Sequence, residues 1–231
     1  YVKKAREFAK VMKWTDPSIE LVGCGLSGLT DWDRLVVEKL APFVNYHSVH
    51  IYTGSDDHWS DVLAPHQADR ALRTIRATID RARYEGRIDH PIYVAYDEWN
   101  VWFRKRSAET QLEERYTLSD ALAVATYLNV FARNCQTVKI ANLAQMVNVI
   151  APIFTSEDDL FLQTIYHPIR LCAEHMQPVV LDAYVDCDKH ALQDEASSWP
   201  HRVADMGPFD VLDVSATRND AGLDLTLVVV N

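Results

Sequence analysis

Cysteine is scarce in this chain. Its four residues, Cys24, Cys135, Cys172 and Cys187, lie far apart, with no Cys-x-x-Cys pair among them. That spacing argues against a disulfide framework and fits free thiols in a reducing compartment, so a cytoplasmic location is expected. Basic charge is also short. The 23 Lys and Arg are outnumbered by 33 Asp and Glu, giving a formal net charge of −10. A nucleic-acid surface needs a basic stripe, which this balance argues against. No apolar run is long enough to span a bilayer, and no secretion leader is expected, since Tyr1–Phe8 already follows a helical period. Neither nucleic acid nor membrane is an expected partner.

Several catalytic signatures are missing as well. No Gly-x-Gly-x-x-Gly follows a first strand, and Gly25-Leu26-Ser27-Gly28 lacks the lysine and the spacing of a phosphate loop. The 9 histidines include no His-Glu-x-x-His pair. His47 and His50 stand three apart on an expected strand and so point to opposite faces. No metal and no cofactor are expected. Composition leaves a Ser-His-Asp triad open, but no Gly-x-Ser-x-Gly elbow marks a nucleophilic serine.

What remains is an alternation of strands and helices. Residues 2–13 form an amphipathic pattern through Val2, Ala5, Phe8, Ala9 and Met12, ending before Asp16-Pro17. A strand follows over Ile19–Cys24, then a helix over Trp32–Val44 with Asp31 as candidate N-cap. His47–Tyr52 is the next strand, and Thr53–Pro65 a long polar loop. Gln67–Tyr84 is a strong helix whose apolar positions Ala68, Leu72, Ile75, Ile79 and Ala82 step by three and four, with Gly86 as its stop. Ile92–Tyr96 is a strand, Arg104–Arg115 a charged loop, and Asp120–Arg133 a helix apolar nearly all round, hence buried. Val138–Asn142 is a strand, and Leu162–Met176 a helix with an interruption at Pro168. Strand–helix units of this spacing imply parallel strands joined by crossover helices. Four such units are half of an eightfold barrel; an open doubly wound sheet is the other option, without its fingerprint. After Pro178 the texture turns β-rich: Val179–Tyr184, Asp210–Thr217 and Leu223–Val230, with a turn at 219–222. The expected organisation is therefore α/β: residues 1–177 as a partial (β/α)8 TIM barrel, and 178–231 as part of an antiparallel β-sandwich domain. A chain that opens inside a helix without Met and stops with strand pattern still running reads as a piece of a longer protein.

The chemistry is expected at the end of one strand. Ile92–Tyr96 is followed at once by Asp97, Glu98, Trp99, Asn100 and Trp102. Tryptophan offers an apolar face to a sugar ring, and asparagine an amide that can bond a hydroxyl or orient an acid. Exposed acids are common, so an Asp-Glu pair alone is more often a solvated loop. Tyr52, closing the preceding strand, could orient a carboxylate or simply pack. Gln145 could meet a hydroxyl or its own backbone. His50 could be a core histidine or a sugar contact.

Asp97-Glu98-Trp99-Asn100-Val101-Trp102 resembles the nucleophile motif of the α-L-arabinofuranosidases of glycoside hydrolase family 51. His50-Ile51-Tyr52-Thr53-Gly54 is similar to that family's His-x-Tyr segment after strand six. Lys139–Pro152 resembles its stretch after strand eight. The resemblance implies barrel strands five to eight, with Glu98 as the attacking carboxylate at the end of strand seven. It implies that Tyr52 orients Glu98 and that Gln145 reaches the sugar; Trp99, Trp102 and Asn100, from their side-chain chemistry, and His50 are expected as further sugar contacts. The implied reaction is retaining, exo-acting removal of terminal α-L-arabinofuranosyl residues from arabinan, arabinoxylan or their oligosaccharides. Such a reaction needs a second carboxylate roughly 5–5.5 Å from the first. The family's acid/base sits in an Asn-Glu pair, and no Asn-Glu dipeptide occurs here. The 231 residues alone are therefore expected to be inactive. Whether the longer parent is a homo-oligomer is left open. Two rivals stand beside this reading: another retaining barrel glycosidase of endoglucanase type, and a non-catalytic carbohydrate-binding protein using Trp59, Trp99 and Trp102 as a platform.

Overall fold

Thr30 begins the pattern by which the helices of this chain are fixed. Its hydroxyl accepts from the Asp33 N–H while the Asp33 carboxylate accepts from the Thr30 N–H, closing a capping box at the start of a helix. Thr117 and Asp120 repeat the device. Thr30, not Asp31, is thus the N-cap, because the box needs an acid three residues on.

The computed structural model describes residues 1–104, 112–193 and 203–231. In chain order the elements are α1 (Val2–Thr15), β1 (Val22–Gly23), α2 (Asp31–Leu40), β2 (Tyr46–Thr53), α3 (His58–Leu63), α4 (Gln67–Gly86), β3 (Tyr93–Val101), α5 (Leu118–Arg133), β4 (Val138–Leu143), β5 (Ile153–Thr155), β6 (Leu160–Leu162), α6 (Tyr166–His175), β7 (Val179–Leu181), β8 (Lys189–His190), β9 (Phe209–Asp210), β10 (Asp213–Arg218) and β11 (Leu225–Val230). They divide into two units. One holds Tyr1–Ile51, Asp69–Trp99 and Gln136–Asn142; the other holds Tyr52–Ala68, Asn100–Cys135 and Leu143–Asn231. The expected boundary at Pro178 falls inside the second, between α6 and β7.

The first unit is α/β. Its sheet runs β1-β2-β3-β4 in chain order, with β1 and β2 parallel, Val22 opposite Tyr46 and Gly23 opposite His47. Helices separate successive strands, as crossover connections require. Val36, Val37 and Leu40 of α2, Val49 and Ile51 of β2, Leu72, Ile75 and Ile79 of α4 and Val94 of β3 are buried. The three-four step read from α4 is the step that buries it. On α1 only Ala9 is buried, while Phe8, Val11, Met12 and Trp14 are exposed.

The second unit centres on α5, buried from Asp120 through Ala132 at most positions, as its all-round apolar sequence requires. An antiparallel sheet runs β11-β10-β7, with Ala216 paired to both Leu227 and Leu181. The turn between β10 and β11 needs a positive φ at Gly222, +72°, where glycine costs nothing. β5 pairs β6, and β8 pairs β9.

Several expectations are corrected. β1 keeps two residues of the six expected, and β3 continues through the acids to Val101 rather than ending at Tyr96. The polar stretch 53–65 holds α3, whose Val62 and Leu63 are buried. Pro168 interrupts nothing: α6 begins at Tyr166, so the proline sits in the first turn, where no amide donor is needed. The β5–β6 hairpin lay unread between strand and helix. The charged loop at 105–111 lies outside the described residues.

Candidate active site

β2 alternates, so Ser48, His50 and Tyr52 share one face and His47, Val49 and Ile51 the other. The inner face is anchored by a buried pair. His47 Nε2 lies 3.0 Å from Asp33 Oδ1, and both side chains are 1% exposed. Burial alone would raise the Asp33 carboxyl. Hydrogen bonds from His47, from the Thr30 hydroxyl and from the Leu26 and Thr30 amides outweigh it and hold the carboxyl well below the usual range. That pair ties α2 and the 24–30 loop to β2.

On the other face, in the same unit, three ionisable side chains meet. His50 Nδ1 is 3.3 Å from Glu98 Oε2, and His50 Nε2 is 3.0 Å from Asp97 Oδ1. Ser48 Oγ donates to Asp97 Oδ1 at 2.7 Å and lies 2.9 Å from His50 Nε2. A regular strand sends consecutive side chains to opposite faces. One imidazole nevertheless lies within 3.3 Å of both acids. Asp97, His50 and Glu98 are 31%, 35% and 40% exposed, so the cluster is open to a ligand without being fully wet. A half-exposed carboxylate held by an imidazole can act as a nucleophile, a base or a hydroxyl-binding group.

Of the remaining expected residues, all but Trp99 belong to the second unit. Tyr52 meets Trp102 edge to face, with ring centroids 5.2 Å apart. Gln145 is exposed, and the Ala144–Gln145 peptide is cis. Asn148 donates to Thr155 Oγ1 and accepts from the Thr155 amide, so it supports the turn. Two expected sugar contacts are corrected. Trp99, in the first unit, is 2% exposed and is core filling rather than a platform. Asn100 is fully buried, and its amide is spent on main chain: it donates to Ala144 O at 2.7 Å and Ile150 O at 2.6 Å, and accepts from the Val101 amide.

Reading the sequence also missed Ser48 and its bond to Asp97, because a lone serine on a strand carries no signal. It missed a buried charge cluster in the second unit. Arg104 bonds Glu114 and Asp120 at 2.9 Å each, and Asp61 faces Asp120. Among the described residues no His, Cys, Asp and Glu side chains are grouped to hold a metal, and the four cysteines are unpaired with one another.

The profile of the α-L-arabinofuranosidase C-terminal domain family matches residues 97–228. A probable α-L-arabinofuranosidase C from Aspergillus niger is 36% identical over 247 residues, covering 100% of this chain and 48% of that protein. An intracellular exo-α-(1→5)-L-arabinofuranosidase from Halalkalibacterium halodurans is 37% identical over 212 residues, covering 84% of this chain and 42% of that protein. The thermostable GH51 α-L-arabinofuranosidase of Thermotoga petrophila superposes with a TM-score of 0.83 at 28% identity, over 100% of this chain and 47% of that one. The chain spans about half the length of these relatives.

Proposed function

Because this chain belongs to the α-L-arabinofuranosidases of glycoside hydrolase family 51, we propose that it carries the nucleophile side of a retaining arabinofuranosidase site. Glu98 attacks the anomeric carbon of a terminal α-L-arabinofuranosyl unit. The bond to the leaving sugar oxygen breaks, and a second carboxylate protonates that oxygen and then activates water. One observation carries the assignment: the Glu98 carboxylate is 40% exposed and lies 3.3 Å from the His50 imidazole. It is neither buried and inaccessible nor loose in solvent.

Tyr52 as the donor that orients Glu98, and Gln145 as a sugar contact, rest on the match of their segments to the family's pattern. Trp102, half-buried against Tyr52, is the tryptophan available to the sugar. We assign β1 to β4 and their helices, through residue 177, to the back half of a (β/α)8 barrel, and 178–231 to part of a β-sandwich. The bare apolar face of α1 fits a barrel that continues beyond these residues. The acid/base carboxylate is assigned to the remainder of the whole protein, which in the relatives is about twice as long. The substrates are arabinan, arabinoxylan and their oligosaccharides.

The test is Glu98→Ala in the whole protein, assayed on an aryl α-L-arabinofuranoside. Turnover falls by orders of magnitude and azide, an external nucleophile, restores part of it. Undiminished turnover removes Glu98 from the chemistry.

A further inference from the structure

We propose that Asp97, together with Ser48, is a positioning residue that fixes the His50 imidazole against the nucleophile. The inference rests on Glu98 being that nucleophile, and the hydrogens on the page lead to it. Ser48 Oγ lies 2.7 Å from Asp97 Oδ1, and of the two only the serine can donate to an ionised carboxylate. Its single hydrogen is thereby used. His50 Nε2, 2.9 Å from that Oγ and 3.0 Å from that Oδ1, faces two acceptors and must carry a hydrogen itself. Nε2 is thereby a donor, and the ring is held at that end by two contacts. Nδ1 is then left facing Glu98 Oε2 at 3.3 Å, and that contact is attractive only with a hydrogen between the two atoms.

The arrangement does three things for Glu98. It sets the ring plane, so that the imidazole meets the Glu98 carboxylate at one oxygen, Oε2. It places Nδ1 against Oε2, where the ring donates as imidazolium. It supplies, through Asp97, a countercharge to whatever positive charge the imidazole bears. No bond to Asp97 or Ser48 is made or broken, and no proton passes through them to substrate. Both are polar side chains of one unit, and Asp97 is a third exposed, so its replacement leaves the core intact.

The experiment uses the whole protein and an aryl α-L-arabinofuranoside. Asp97→Ala lowers kcat by about 10²-fold, the scale of a misplaced reacting group, while KM moves little. Asp97→Asn keeps an acceptor for Ser48 and Nε2 and recovers most of that loss; Ser48→Ala gives a smaller loss in kcat than Asp97→Ala. The decisive arm is the background. In Glu98→Ala, adding Asp97→Ala leaves the residual rate, with azide and without it, where it was, since the group it positions is gone. The proposal is overturned if Asp97→Ala keeps full kcat, or if it lowers the residual rate of Glu98→Ala as strongly as it lowers that of the Glu98 enzyme. Full turnover in Glu98→Ala alone overturns the nucleophile reading instead, a different and separable result.

Discussion

The side-chain amide of Asn100 stands 2.6 Å from the carbonyl oxygen of Ile150 and also reaches Ala144 O at 2.7 Å. One buried amide thus closes both ends of the turn that carries Gln145. Within that turn Asn148 and Val149 have positive φ, 58° and 65°, the second being a β-branched residue in a region it rarely adopts. A strained turn persists where its surroundings over-determine it, and the Glu114 amide bonding Val149 O at 3.1 Å adds to the hold. Asn100→Ala removes both donors and should cost about 2–3 kcal/mol. It should also raise KM for arabinosides through the released Gln145, more than it lowers kcat. Asn100→Asp, which sets an acceptor against two carbonyls, should be worse on both counts. Urea unfolding and steady-state kinetics check this; an Asn100→Ala protein with unchanged KM would separate the turn from the sugar.

Gly25 has no space for a side chain. A Cβ there would lie 1.8 Å from Ser48 O and 2.5 Å from His47 Nε2. The first neighbour is main chain, so it cannot turn aside, and β2 would have to shift at the residue that anchors Asp97. The Asp33–His47 pair and the His50 N–H bond to Leu26 O leave little slack for that shift. Gly25→Ala is expected to destabilise by about 1–3 kcal/mol and to lower kcat as well, because Ser48 moves with the strand. A Gly25→Ala protein of normal stability and turnover would show that β2 is free to move.

Asp61 gives the protein a stability that depends on pH. Burial raises its carboxyl first, and the facing Asp120 raises it further; the Ser55 amide and Arg104 pull the other way, and the balance pushes it up to about 8. The folded state then holds a proton that the unfolded chain has already released above the ordinary carboxylate range. The stabilisation is complete below about pH 4 and is lost as pH rises through about 8. Asn mimics the protonated acid, with an acceptor for Ser55 and a donor for Asp120. Asp61→Asn should therefore unfold at higher urea than the parent at about pH 9, by on the order of a few kcal/mol, with the advantage shrinking toward about pH 5. A difference independent of pH would mean that Asp61 is ionised throughout.

What the sequence made legible follows from the range of the forces involved. The α4 step and the apolar girth of α5 are local patterns, and burial rewards them directly. Asn100 was misread because its partners lie 44 and 50 residues away and are main-chain carbonyls, which every residue has. Trp99 was misread because β3 runs on past the acids, so its ring is sent inward rather than into a loop. α3 hid because His58, Ser60 and Asp61 look like loop residues, while Ser60 and Asp61 are in fact buried.

The second unit offers the sharpest test of stability. Asp213 of β10 takes Arg133 through both oxygens, at 2.8 and 3.0 Å, and Asn129 at 2.7 Å; Ser215 donates to Asn129 Oδ1 at 2.6 Å. Asn129 and Arg133 are one turn apart on α5, so a single carboxylate fixes the helix to the sheet. A bidentate guanidinium pair of this kind is worth more than an exposed ion pair, but much of its value lies in what its loss leaves behind. Asp213→Ala would leave a partly buried guanidinium without its carboxylate, while the Asn129 amide keeps its bond to Asp213 O at 3.2 Å, and should cost about 3 kcal/mol. Removing the charges on both sides, Asp213→Asn with Arg133→Met, leaves no unpaired ion and should cost clearly less than Asp213→Ala alone. Denaturant midpoints of the three proteins decide it. If the double variant is the least stable of the three, the pair itself, rather than the avoidance of a stranded charge, is what joins α5 to β10.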